Sequence, residues 1–159
     1  MVRLAVLGLL LLAAAPLSAR ESLGVYGGWA AFRDTSPARC YAIAKAGGTL
    51  PAPAYATVSN WPQRKVRGAV HIVLSRDVAD KTAVRLAVGD KRFDLVAKGR
   101  NAWAKDARDD AAIIAALRSA PRMSVSARSI KGAGFTDRYS LAGAATAIDA
   151  ATVGCAKRS

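Results

Sequence analysis

Few side chains in this sequence could carry chemistry, and their types define what that chemistry would be. His71 is the single histidine and Glu21 the single glutamate among 159 residues. A hydrolase built on His71 would use it to take a proton from a nucleophile, with an aspartate to orient the ring. No Gly-x-Ser-x-Gly turn accompanies it, and its apolar neighbours are those of a packed or rim histidine on a strand. Asp106, Asp109 and Asp110 crowd together and could act as the paired carboxylates of glycoside cleavage. They also stand just before an apolar helical stripe, where Asp106 and Asp109 have the spacing of a cap and negative charge favours the first turn. Capping is therefore the reading retained. One histidine and two distant cysteines offer no metal-ligand spacing, so neither a metal nor another cofactor is expected. Gly27-Gly28, Gly47-Gly48 and Gly132-Ala133-Gly134 do not open a helix after a strand as a nucleotide loop would. No catalytic residue is assigned.

Cys40 and Cys155 are the only cysteines. No Cys-x-x-Cys spacing lowers a thiol pKa, which removes a redox role. Whether they pair depends on the compartment. Residues 1–19 read as a secretory leader: Arg3 gives the positive start, Leu4 to Leu12 the apolar run, Pro16 a break, and Ala19 a small residue before the cut. The alternative, a membrane anchor, would need an apolar stretch of about 20 residues. Export makes a Cys40–Cys155 disulfide the expected arrangement for an even count, against two unrelated buried thiols.

The elements that would hold these residues are mostly strands. Gly24 to Phe32 reads as one glycine-weakened strand with Trp29 as a core anchor, and Cys40 to Ala44 as a second. Pro51 to Pro62 is proline-punctuated and fits an edge strand or a loop. Ala69 to Ser75 alternates, with Val70, Ile72 and Leu74 on one face and His71 and Val73 on the other. Val84, Leu86 and Val88, then Gly89-Asp90, then Phe93 and Leu95 predict a hairpin with a two-residue turn. Met123 to Ile130 and Phe135 to Tyr139 are two further strands. A short helix follows Asp106, with Ile113, Ile114 and Leu117 as its stripe. A terminal helix follows Ser140 as N-cap, and Leu141, Ala144, Ile148, Ala151 and Cys155 fall on one face of it. That spacing turns Cys155 toward the domain body. The fold class is mainly β, a β-sandwich with a short inserted helix and a C-terminal helix, forming a single domain over residues 20–159.

The chain carries 24 Lys and Arg against 11 Asp and Glu, a net +13. An exported protein with that charge meets anionic lipid, polysaccharide or acidic protein surfaces rather than nucleic acid. Arg64, Lys65 and Arg67 are the densest cluster and the candidate anionic-surface site; the alternative is a basic surface that only solvates.

Trp29, then Cys40-Tyr41-Ala42-Ile43-Ala44, then Asn101-Ala102-Trp103-Ala104-Lys105-Asp106 with the helix through Ile113, Ile114 and Leu117, then Asp137-Arg138-Tyr139-Ser140-Leu141-Ala142-Gly143 and the helix to Cys155, resemble the invasion-associated locus B family of exported alphaproteobacterial proteins. The resemblance spans Gly24 to Cys155. It implies an immunoglobulin-like sandwich of the envelope, a structural Cys40–Cys155 pair and no catalytic motif. The high charge and the alanine-rich terminal helix depart from the family. The expected function is a non-enzymatic periplasmic, secreted or outer-membrane-associated binding module connected with host-cell invasion. A periplasmic chaperone or inhibitor is one alternative, and a small envelope hydrolase using His71 is another. No membrane span is expected after the leader is removed.

Overall fold

A computed structural model describes residues 20–156. The leader assigned to residues 1–19 lies outside the described residues. Nine antiparallel strands form one continuous sheet in the order β1-β2-β3-β4-β5-β7-β6-β8-β9. They are β1 Arg20–Tyr26, β2 Trp29–Thr35, β3 Ala38–Lys45, β4 Tyr55–Trp61, β5 Val66–Val78, β6 Val84–Val88, β7 Lys91–Trp103, β8 Arg122–Arg128 and β9 Gly134–Ser140. Two helices, α1 Ala107–Leu117 and α2 Ala144–Ala156, complete the domain. The mainly β reading with an inserted and a terminal helix is borne out.

The two layers are halves of one sheet. The end of β7 pairs with β5, while its beginning pairs with β6. Several contacts bring the β6–β9 half back to the first half, among them the Ile130 N–H donating to the Asp77 carbonyl at 2.8 Å. Gly47 and Arg138 form a bridge, Ser75 N–H donates to buried Asp137 Oδ2 at 2.9 Å, and Trp29 Nε1–H donates to the Ser140 carbonyl at 3.0 Å. The core lies where alternate residues point inward: Ala31, Ala42, Val58, Val70 and Ile72 from the first half, Leu86 and Val125 from the second. Val70, Ile72 and Leu74 are all buried, as their alternation requires.

Two strand assignments change. Gly24 to Phe32 is not one strand but the β1–β2 hairpin, turning at Gly27-Gly28 with Gly27 at φ +56°. The region from Pro51 to Pro62 is neither an edge nor only a loop. Its later part is β4, paired with β3 on one side and β5 on the other, while Pro51, Pro53 and Pro62 fall outside the ladder. The Gly89-Asp90 hairpin is as read: Val88 pairs with Lys91, and Gly89 has φ +58°.

Asp106 caps α1, its Oδ1 accepting from Asp109 N–H at 2.9 Å. Ile113, Ala116 and Leu117 are the buried side of that helix. Asp110 then binds the helix to the sheet, its Oδ1 accepting from Val70 N–H at 2.7 Å. Burial, and next to it the charges of Asp106 and Asp109, raise the Asp110 carboxyl above the ordinary aspartate range despite that bond. The folded state thus holds a proton on Asp110 to higher pH than the unfolded chain, and this group's contribution to stability falls as pH rises through the window above about 4. Asp110→Asn keeps the acceptor and removes the charge. Its stability, followed by urea unfolding from pH 4 to 6, is expected to decline less with rising pH than that of the parent protein; parallel profiles would refute this account of Asp110.

Ser140 does not cap α2. It ends β9, and its Oγ accepts from Ala142 N–H at 3.3 Å in the turn that precedes the helix. The helix lays Ala144, Ala147, Ile148 and Ala151 on β1, β2 and β3. Both of its ends are fastened. At the start, Gly28 N–H donates to the Ala142 carbonyl, and the Tyr26 carbonyl occupies the space that a Cβ on Gly143 would need, so no other residue fits there. At the end, Cys155 is bonded to Cys40 across 115 positions, and Arg33 Nη1 donates to the Gly154 carbonyl at 3.3 Å, placing a cation at the helix C-terminus.

Candidate functional site

The basic cluster read from the sequence is divided by the fold. Pro62–Arg64 forms one 3-10 turn, and Lys65 follows in the left-handed region at φ +54° before β5 begins. Lys65 and Arg67 line a cavity of about 370 Å³ together with Asn60, Thr152 and Cys155, beside the disulfide. Arg64 is not part of that lining. Its guanidinium stands over the Trp61 ring at 5.0 Å.

That stacking begins a ladder on the outer face of the first half-sheet. Arg39 lies 5.1 Å from the Trp61 ring and 4.0 Å from Tyr41, and Arg20 lies 5.8 Å from both Tyr41 and Phe32. Cations and rings alternate across β1 to β4, each guanidinium lying over a ring within about 6 Å of its centroid. Asp34 accepts from Arg20 at 3.1 Å and Arg39 at 2.8 Å. Burial alone would raise its carboxyl, but hydrogen bonds from Arg39 and Arg20 outweigh it and bring the pKa below the ordinary range. Within the ladder Asp34 offsets part of the charge of Arg20 and Arg39, while Arg64 has no acid partner among the described residues.

His71 is on the same outer face. Its Nε2 is 2.9 Å from Asn101 Oδ1, and its ring stacks on Trp103 at a centroid distance of 5.3 Å. The partner of the imidazole is a neutral amide rather than a carboxylate. Asp106 and Asp110 are occupied as a cap and as the α1–β5 tie. Among the described residues no group of three His, Cys, Asp or Glu side chains could hold a metal ion.

The outer face of the second half-sheet is different. In register, Arg138 on β9 faces Ser124 on β8, Ser124 faces Ala87 on β6, and Ala87 faces Arg92 on β7. Arg122 faces Ser140 in the row beside them. Arg92, Arg122 and Arg138 line one open cavity of about 600 Å³ with Ser124, Ser140 and the edge of Tyr139. Arg92 donates to the Gly89 and Lys91 carbonyls. None of the three arginines has an acid partner among the described residues. Beneath this face, burial and then the charge of Asp137 push the Tyr139 phenol well above its ordinary pKa, so it stays neutral. Asp137 Oδ1 and the Tyr139 hydroxyl are buried without a hydrogen-bond partner among the described residues.

Sequence reasoning misses this face. Its signal is faint: arginine, serine and threonine at alternate positions of two strands (Arg122, Ser124, Ser126, Arg128; Thr136, Arg138, Ser140), which, with the Lys131-Gly132-Ala133-Gly134 turn between them, says that these two strands share a face but not that β6 and β7 lie beside them.

No family model matches the chain, and no curated protein matches it either. A solved structure does. The crystal structure of invasion associated protein B from Bartonella henselae superposes with a TM-score of 0.61, covering 84% of this chain and 96% of that one, at 16% sequence identity. The resemblance read from the sequence is thus borne out in the fold.

Proposed function

We propose that this chain is a non-enzymatic exported binding module that presents its positive charge to an anionic macromolecule of the envelope or of a host cell. The observation that carries this reading is the distribution of unpaired cations. Asp34, Glu21, Asp94 and Asp149 are tied to Arg20 and Arg39, Arg33, Lys105 and Arg118 respectively, while Arg92, Arg122, Arg138, Lys65 and Arg67 line open cavities with no acid partner among the described residues. The Cys40–Cys155 disulfide suits an oxidising compartment. So does the leader expected at residues 1–19, and the fold shared with an invasion associated protein fits the same setting. No helix among the described residues is long and apolar enough to cross a membrane. The neutral partners of His71 favour a structural role for it over a hydrolytic one.

The test is co-sedimentation with outer-membrane vesicles across a salt series. Exposed charges lose most of their reach once the Debye length drops from about 10 Å at 0.1 M to about 3 Å at 1 M salt. Binding is expected at low salt and should be largely lost by about 0.5 M. Absence of binding at every salt concentration would overturn the envelope reading.

A further inference from the structure

We propose that the outer face of the β6–β9 half-sheet is a binding site for a phosphorylated saccharide, a ligand class that deepens the binding-module reading above and rests on it. The cavity there measures about 600 Å³, within the roughly 300–1,000 Å³ of small-ligand sites and larger than one phosphate requires. Its floor is built of short side chains. Ala87 and Ser124 stand between Arg138 and Arg92, so an occupant reaches the level of the sheet while the arginines rise around it. Three strand spacings of about 4.8 Å separate Arg138 from Arg92, a span of about 14 Å. A phosphorylated disaccharide matches that width; a bare anion does not.

Charge argues the same way. Arg122 and Arg138 stand on neighbouring strands, two residues apart in register, and no carboxylate among the described residues pairs with either. Like charges so placed repel, and an anion relieves them. Guanidinium groups bind planar or tetrahedral oxyanions through paired N–H donors. Three of them offer more donors than one carboxylate accepts, whereas a phosphate monoester presents three acceptor oxygens that share a charge of about −2. The Ser124 and Ser140 hydroxyls, which both give and take hydrogen bonds, suit sugar hydroxyls beside the phosphate. The exposed large apolar side chains of the described residues include no aromatic ring on this face, which argues against stacked nucleic-acid bases.

Isothermal titration of the purified, disulfide-intact protein tests this. The probes are trehalose 6-phosphate, trehalose, inorganic phosphate and glucuronic acid. Trehalose 6-phosphate is expected to bind about tenfold or more tightly than inorganic phosphate or glucuronic acid, and trehalose not to bind. Arg122→Ala with Arg138→Ala should weaken it about tenfold or more, and Arg122→Lys with Arg138→Lys should restore only part of the loss. Lys98→Ala with Arg108→Ala removes the same charge at exposed positions outside both cavities and should leave affinity within about twofold. Equal losses in the two alanine pairs would overturn the site in favour of diffuse charge. So would equal binding of glucuronic acid, or no binding of trehalose 6-phosphate. If the phosphosugar fails while salt-sensitive vesicle binding persists, the saccharide site falls and the binding-module reading stands; if both fail, both fall.

Discussion

Replacing Cys40 and Cys155 together by alanine is expected to lower stability by about 3–5 kcal/mol and the melting temperature by roughly 10–15 °C. The bond spans 115 positions, nearly the whole folded domain, so its removal frees a very long loop in the unfolded chain. The chain-entropy model puts such a loop at about 4–5 kcal/mol, and measured values often fall below it. Alanine is the right replacement because Cys40 is fully enclosed; serine would bury a hydroxyl without an assured partner and add its own penalty. The fold itself should persist. The face of α2 that carries Ala144, Ala147, Ile148 and Ala151 stays packed on β1 to β3, and its start is held independently at Gly143. Circular dichroism should therefore show native β content with an earlier urea midpoint. A loss below about 1 kcal/mol would mean that the helix end is already fixed by Arg33 and packing, with the bond adding little.

Much of this arrangement is legible in the sequence, and the reason differs by element. The β6–β7 hairpin and the α2 stripe are readable because each is a local pattern: alternation broken by Gly89-Asp90, and Leu141 to Cys155 at helical spacing. The disulfide gains support from that stripe, since it turns Cys155 inward. The β1–β2 hairpin is easily misread: Gly27-Gly28 is a favoured two-residue turn, but the apolar residues on both sides of it, Val25-Tyr26 and Trp29-Ala30, imitate one weak strand. β4 is obscured by its flanking prolines, which mark where the ladder ends rather than what lies inside it. The candidate site escapes notice for a further reason. Arg64, Lys65 and Arg67 are close in sequence but are divided between a ring stack and a cavity. Arg92, Arg122 and Arg138 are far apart in sequence and meet only because β7, β6, β8 and β9 lie side by side. Strand order depends on long-range pairing that no local pattern encodes.

Trp29→Ala should be the most damaging single substitution, costing about 3–5 kcal/mol for the lost side chain alone. Trp29 is 1% exposed and the largest fully buried side chain. Its indole N–H also satisfies the Ser140 carbonyl, which would lose this partner, at a further cost of about 1–3 kcal/mol if water cannot reach it. Trp29→Phe keeps most of the apolar surface and loses the donor, so the difference between the two variants separates packing from the hydrogen bond. The position matters beyond its size. Trp29 opens β2 directly after the Gly27-Gly28 turn, and that turn docks on Ala142 and Gly143 where β9 passes into α2. One junction therefore joins the first hairpin, the last strand and the terminal helix. Gly143→Ala attacks the same junction from the other side, because its new Cβ would collide with the Tyr26 carbonyl and its φ of +87° disfavours any side chain. If the two residues secure a single contact, their double variant should lose clearly less stability than the two single losses together, with a coupling of about 1 kcal/mol or more. Strict additivity in urea unfolding would mean that the hairpin and the helix are fastened separately. The Cys40–Cys155 pair supplies the comparison. It lies twelve residues along α2 from Gly143, about 18 Å away, so its loss should add to that of Trp29 within about 0.5 kcal/mol.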